Sequence, residues 1–221
     1  MGSDIRVLLV DDQKLVRYGF RLLLEATPGM AVVAEAGDGD EAVRITEALQ
    51  IDVVLMDVRM PGVDGIEATQ RITSAHPDTR VLILTTYDLD EYAFSGLGAG
   101  AAGFILKDTR PADLVAAVRA VHCGDAVVSP RITAKLIEVA APHLGTGRSS
   151  DPAGPLTGLT AREGEIFVLI GRGETNGEIA ARLHLSESTV KATVGRVLSK
   201  LGLRNRVDVV IRAYELGLVG Q

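Results

Sequence analysis

The 221-residue sequence contains a single cysteine, Cys123. One thiol excludes an internal disulfide and fits a reducing compartment such as the cytosol. Cys123 falls at the end of an apolar helical pattern, which favours packing over chemistry. No run of 18 or more apolar residues is present, so no membrane span is expected. No basic stretch followed by an apolar one opens the chain, so no secretory signal is expected. Met1-Gly2 does not begin a myristoylation motif, because position 6 is Arg. His76, His122, His143 and His184 lack metal-ligand spacing. An excess of positive charge is also missing: the net charge of −6 argues, taken alone, against nucleic-acid binding.

What is present is a globular composition, 47% hydrophobic and 24% charged, long enough for one or two cores. The charge is uneven. Residues 1–150 hold 14 basic and 21 acidic side chains, a balance of −7, while residues 151–221 hold 9 and 8, a balance of +1. Between Ser186 and Arg206 the cations are Lys191, Arg196, Lys200, Arg204 and Arg206, and Glu187 is the only anion. A local basic patch can serve a nucleic-acid reader inside an acidic protein. Residues 142–158 carry three Pro, four Gly and several hydroxyls, a composition that cannot build a core. The expected division is therefore 4–125, a linker over 126–158 with a helix near 129–140, and 159–221.

Before the linker, strands alternate with helices. Strands are expected near Ile5–Val10, Ala31–Ala36, Asp52–Asp57, Val81–Thr85 and Gly103–Leu106. Helices are expected near Lys14–Ala26, Asp40–Leu49, Gly65–Ala75, Asp90–Gly98 and Pro111–His122. Continuous apolar strands in such an alternation predict a doubly wound, five-stranded parallel sheet with helices on both faces.

Four of these strands deliver polar groups at their carboxyl ends: Asp11-Asp12, Asp57, Thr85 and Lys107. In an open α/β sheet that edge is where ligands sit. Three carboxylates, a hydroxyl and an ammonium converging there point to a divalent metal and a phosphoryl group, and a carboxylate can itself accept one. A lone Asp at a strand end is usually a turn former. Turn chemistry does not call for Lys107, so the set argues for a site.

Asp11-Asp12, Asp57 with Met60-Pro61 and Gly65, Thr85, Phe104 and Lys107, in that order, resemble the receiver domain of two-component response regulators, a flavodoxin-like fold. The resemblance covers about Ile5–Gly124. It implies that Asp57 accepts a phosphoryl group from the phosphohistidine of a sensor histidine kinase. It also implies that Asp12, Asp57 and the backbone carbonyl of Arg59 hold Mg²⁺, with Asp11 reaching the ion through water. Lys107 and Thr85 would contact the phosphoryl oxygens, and Thr85 and Phe104 would form the switch. Phe104 stands where many receivers have Tyr, and core packing is an equal reading of it.

After the linker, four short helices are expected. Thr160-Ala161-Arg162-Glu163 reads as a capping box, Thr175-Asn176-Gly177-Glu178 starts a second helix, and Ser186 caps a third that Gly202 stops. The fourth covers about Val207–Leu216. Leu159-Thr160-Ala161-Arg162-Glu163, Asn176 to Ala180, Ser186 to Lys191, and Lys200-Leu201-Gly202-Leu203 with Arg206 resemble the LuxR-type helix-turn-helix. With the receiver in front, the chain resembles NarL/FixJ-type transcription factors. That resemblance implies a recognition helix exposing Lys191, Ala192, Gly195, Arg196 and Ser199 to the major groove. Lys191 is the first candidate for a base edge; Arg196, Lys200, Arg204 and Arg206 read as phosphate contacts. Thr193 departs from the usual His, and Gly195 offers no side chain. Expected partners are a sensor histidine kinase, double-stranded DNA with an inverted-repeat-like site, and a second copy on phosphorylation, with RNA polymerase as a candidate. The apolar stripe Val209, Val210, Ala213 and Leu216 serves either a dimer surface or internal packing.

Two alternative readings make different demands on the sequence. A Mg²⁺-dependent phosphatase of the dehalogenase-like type would carry D-x-D on its first strand, where this chain has adjacent Asp11-Asp12. A phosphorylation-independent regulator would be expected to have lost acidic or Lys positions, and none is lost. Gly98-Ala99-Gly100-Ala101-Ala102-Gly103 fits G-x-G-x-x-G, but it follows a helix and opens a strand, so a tight turn is expected rather than a nucleotide site.

Overall fold

The computed structural model describes residues 4–85, 95–127, 156 and 158–219. The chain forms two compact units, an N-terminal α/β unit and a C-terminal helical one.

In the N-terminal unit the order is β1 (Ile5–Val10), α1 (Lys14–Glu25), β2 (Met30–Ala36), α2 (Gly39–Ala48), β3 (Val53–Asp57), α3 (Gly65–Ala75), β4 (Arg80–Thr85), β5 (Gly103–Leu106) and α4 (Pro111–Cys123). The strands form one parallel sheet in the order β2-β1-β3-β4-β5. Alternation along each strand divides the core between two faces. Val7, Leu9, Val53, Leu55, Leu82 and Leu84 pack with Leu24 of α1 and with Leu114, Val118 and Val121 of α4. Leu8, Val54, Met56 and Ile83 point the other way and are buried, as are Ala42 of α2 and Ala68 and Ile72 of α3. Burial on both faces explains why these strands read as unbroken apolar runs.

Asp38 and Asp64 start α2 and α3, each accepting a backbone N–H three residues on, from Glu41 and Glu67, at 2.8 Å. The expected helix near Asp90–Gly98 lies partly outside the described residues, of which 95–98 are helical. The G-x-G-x-x-G segment is a helix-to-strand turn: Ala101 N–H donates to Gly96 O at 3.0 Å, Gly100 has φ +97, and Gly103 opens β5. The expected linker helix near 129–140 lies outside the described residues.

The C-terminal unit holds α5 (Ala161–Gly171), α6 (Asn176–Leu183), α7 (Glu187–Leu201) and α8 (Arg206–Glu215). Two capping boxes are formed, Thr160 with Glu163 and Thr175 with Glu178. Between α6 and α7, His184 adopts φ +53, and it is the only non-glycine residue with positive φ among those described. Ser186 then caps α7 by accepting from Thr189 N–H at 3.2 Å. Ile166, Phe167 and Ile170 of α5, Ile179 of α6 and Val190, Val194 and Val197 of α7 form the core with Val209 and Ala213 of α8. Val210 and Leu216, partly buried, pack against the same cluster. No described helix is long and apolar enough to cross a membrane.

Candidate functional site

Asp57 is the last residue of β3, and Asp11 follows the last residue of β1. Strand pairing in register brings these ends together, although more than forty residues of chain lie between them. One carboxylate oxygen from each of Asp11, Asp12 and Asp57 lies within 4.8 Å of the others. Asp11 and Asp57 are buried, and Asp12 is exposed. Lys107, one residue past β5, places Nζ 2.6 Å from Asp11 Oδ2 and 2.9 Å from Asp57 Oδ2. Its backbone N–H donates to Thr85 O at 2.9 Å, which ties the ends of β4 and β5 together. Thr85 and Phe104 are both buried. The Phe104 ring fills the space beside Gly96, where an added Cβ would come within 2.7 Å of it.

Electrostatics here oppose one another. Burial pushes the Asp57 carboxyl above its ordinary range, and the charge of Asp11 adds to that. The Lys107 ammonium and the Arg59 backbone N–H work against the rise without cancelling it. Burial also disfavours the Lys107 ammonium, but hydrogen bonds and charge from Asp11 and Asp57 outweigh this and raise its pKa. Asp11 Oδ1 accepts from Gln13 N–H at 2.9 Å. Asp11 Oδ2 is buried and, among the described residues, meets only Lys107 Nζ, at 2.6 Å, so it retains lone pairs for a further cation. Clustered hard oxygen donors of this kind suit Mg²⁺, which keeps several of its own waters.

The loop after Asp57 depends on Gly65. A Cβ there would sit 1.9 Å from the Asp57 carbonyl oxygen, so only glycine lets α3 begin this close beneath the acidic site. Gly65 N–H donates to Val58 O at 3.0 Å and closes the loop that contains exposed Arg59.

One contributor was not legible in the sequence. Arg17 of α1 donates through Nη1 to the Asp11 carbonyl and through Nε to Glu35 Oε2 at 3.1 Å. Arg21 holds the other Glu35 oxygen at 2.7 Å. These contacts brace the Asp11-Asp12 loop against β2. The signal is weak in sequence because Glu35 lies on a different element and no helical spacing links it to Arg17.

In the C-terminal unit, Lys191, Ala192, Gly195, Arg196 and Ser199 line the exposed face of α7, while Val190, Thr193, Val194 and Val197 are buried. Thr193 turns inward: its hydroxyl donates to Thr189 O at 2.8 Å and accepts from Arg196 at 2.7 Å. Lys200 and Arg204 are exposed; Arg204 lies 3.4 Å from Asp208, and Lys200 donates to Glu163 at 2.7 Å. Arg206 corrects the expectation of a phosphate contact. Only 8% exposed, it donates to Asn176 Oδ1 at 2.9 Å and to the Glu174 carbonyl, joining α8 to the start of α6. A guanidinium spent on buried acceptors is a structural tie, and motif membership alone did not distinguish that role from surface charge.

Comparison with known proteins agrees with this geometry. Residues 7–119 match the response regulator receiver domain, and residues 157–213 match the LuxR family of bacterial regulatory proteins. The transcriptional regulatory protein YxjL of Bacillus subtilis, itself uncharacterized, is 42% identical over 99% of this chain and 100% of its own length. The response regulator ChrA of a heme-sensing two-component system has a crystal structure similar to this chain, with 37% identity, a TM-score of 0.53, and coverage of 99% of this chain and 100% of ChrA. A structure of two RcsB dimers bound to two parallel DNAs is similar at 25% identity and a TM-score of 0.56, covering 99% of this chain and all of the RcsB chain. Sequence, fold and site thus agree that the chain belongs to the NarL/FixJ family of two-component response regulators, with a receiver domain and a LuxR-type helix-turn-helix domain.

Proposed function

We propose that this transcription regulator is switched by phosphoryl transfer to Asp57 from the phosphohistidine of a sensor histidine kinase. The observation that carries the reading is the buried Asp57 carboxylate held 2.9 Å from Lys107, with oxygens of Asp11 and Asp12 in the same cluster. In the transfer, a carboxylate oxygen of Asp57 forms the new bond to phosphorus as the donor's P–N bond breaks, and the electron pair returns to the imidazole nitrogen. Such transfer is governed by positioning and charge stabilisation. The Lys107 ammonium offsets charge on the phosphoryl oxygens, and the Thr85 hydroxyl meets one of them as it arrives. Asp11, Asp12, Asp57 and the Arg59 carbonyl would hold Mg²⁺, which supplies further positive charge. Thr85 and Phe104 would carry the change onward.

The switched protein then binds double-stranded DNA as a homodimer in the cytoplasm, with RNA polymerase as the downstream candidate partner. Pairing two readers makes the second contact intramolecular and raises apparent affinity. Two-fold symmetry implies an inverted-repeat-like site with half-sites roughly 34–36 Å apart. Within each reader Lys191 contacts a base edge, Ala192 and Gly195 face the groove, and Arg196, Lys200 and Arg204 approach phosphates. The division at 4–125, 126–158 and 159–221 separates switch, linker and reader.

Acetyl phosphate with Mg²⁺, followed by borohydride trapping and peptide mass analysis, tests the acceptor. A single label on Asp57, absent from Asp57→Asn, is expected. A label elsewhere, or one that survives the substitution, overturns the assignment.

A further inference from the structure

Glu163 joins the first helix of the C-terminal unit to α7, the candidate recognition helix. Its Oε2 accepts from Thr160 N–H at 2.8 Å and from Lys200 Nζ at 2.7 Å, and its Oε1 lies 3.6 Å from Arg196 Nε. The hydrogen bond from Lys200, with that from the Thr160 backbone, holds its carboxyl at about 2, so it is charged at any physiological pH. The capping box fixes the carboxylate in place: it cannot turn from the two cations without releasing the Thr160 N–H. The Lys200 and Arg196 side chains remain 40% and 57% exposed, open to a ligand from solvent.

A cation paired with a fixed carboxylate adds little net charge to a phosphate contact. Salt-dependent DNA affinity scales with the charges that neutralise phosphates. Phosphate contacts strengthen binding to every sequence alike, because they carry no sequence information. We propose that Glu163 is a specificity-determining residue, which holds down sequence-independent DNA affinity by neutralising Lys200 and Arg196. The inference rests on the DNA-binding reading above. A purely structural role makes a different prediction, because Gln at the same position also completes a capping box. Glu163→Gln therefore removes the charge and keeps the cap.

The test uses the full-length chain with acetyl phosphate and Mg²⁺ held constant, and a labelled duplex of arbitrary sequence. Binding is titrated between about 50 and 200 mM salt, the range over which such contacts respond strongly. Glu163→Gln is expected to bind several-fold tighter at the lowest salt. Its slope of log affinity against log salt should steepen by roughly 1–2, at about 0.9 per freed cation. Lys200→Gln should cost Glu163→Gln more affinity than it costs the parent, and the difference measures the coupling of the pair. A folded Glu163→Gln, verified by thermal melting, with unchanged or weaker binding and the same slope overturns the proposal. Should that variant fail to fold, Lys200→Gln alone decides: a slope shallower by clearly less than one charge supports the proposal, and one shallower by a full charge, about 0.9, overturns it. If the unsubstituted chain binds no duplex at any salt, the DNA-binding reading falls and the role of Glu163 falls with it.

Discussion

Nζ of Lys107, just past β5, lies 2.9 Å from Oδ2 of Asp57 at the end of β3, although β4 separates the two strands. The lysine side chain spans the strand between them and ends within the acidic cluster. Its charge lets two buried carboxylates coexist, and burial still leaves Asp57 harder to ionise than an ordinary carboxyl.

Asp57→Asn is therefore expected to stabilise the fold at neutral pH. The raised pKa means that the native state binds more protons than the unfolded state above the ordinary value of 3.8. Stability then falls as pH rises from about there through the raised value. The Asn variant lacks that part of the slope. Urea melts at several pH values check this, and a variant less stable than the parent at pH 7 would count against it.

Added Mg²⁺ should raise the melting temperature, because it binds the folded cluster and has no comparable site in the unfolded chain. Linkage gives about 2.7 kcal/mol at a hundredfold excess over the dissociation constant. Asp12→Ala should abolish the effect with little cost to the metal-free fold, since Asp12 is exposed. Calorimetric titration of both proteins with MgCl₂ measures it directly.

Lys191→Ala and Arg206→Ala should separate cleanly. Loss of a base contact at Lys191 should cost roughly 1–3 kcal/mol on the operator and relax one base position. If the contact is to phosphate, all sequences weaken alike and the salt slope flattens. Arg206→Ala should instead lower the melting temperature, because Asn176 and the Glu174 carbonyl lose a buried donor. Equal stability of parent and Arg206→Ala would contradict its structural role.

Gly195 lies mid-helix on the exposed face of α7, and a Cβ added there meets nothing within 4 Å. Gly195→Ala should stabilise the C-terminal unit by about 0.5–1 kcal/mol through helix propensity. Thermal melts and operator binding should be read together. Weaker operator binding by this more stable variant would mean that the helix backbone approaches the duplex at Gly195.

The sheet was legible because strand burial leaves a direct mark. Ile5–Val10 and Gly103–Leu106 begin and end where the apolar runs do. Asp11, Asp57 and Lys107 were legible as a set because a parallel sheet gathers its carboxyl ends on one edge. Arg17 and the inward turn of Arg206 were not, since a long cation reads alike whether it meets solvent or a buried carbonyl. Glu163 reads as a cap in the sequence, and its second partner, Lys200, is too distant along the chain for any spacing rule. The stripe on α8 reads alike for a dimer surface and for internal packing, and the α5 and α7 side chains around it account for the packing.

The parallel arrangement of the sheet also bears on synthesis. Asp11 is translated early, Asp57 well after it, and Lys107 only once about half the chain has been made. Each pairing is non-local and requires a helical crossover to close first, which slows assembly. A nascent chain holding Asp57 without Lys107 presents a carboxylate with no counter-charge and no finished pocket. Under the proposed function, the receiver is incompetent for phosphoryl chemistry until its last strand has docked and brought Lys107 to Asp57.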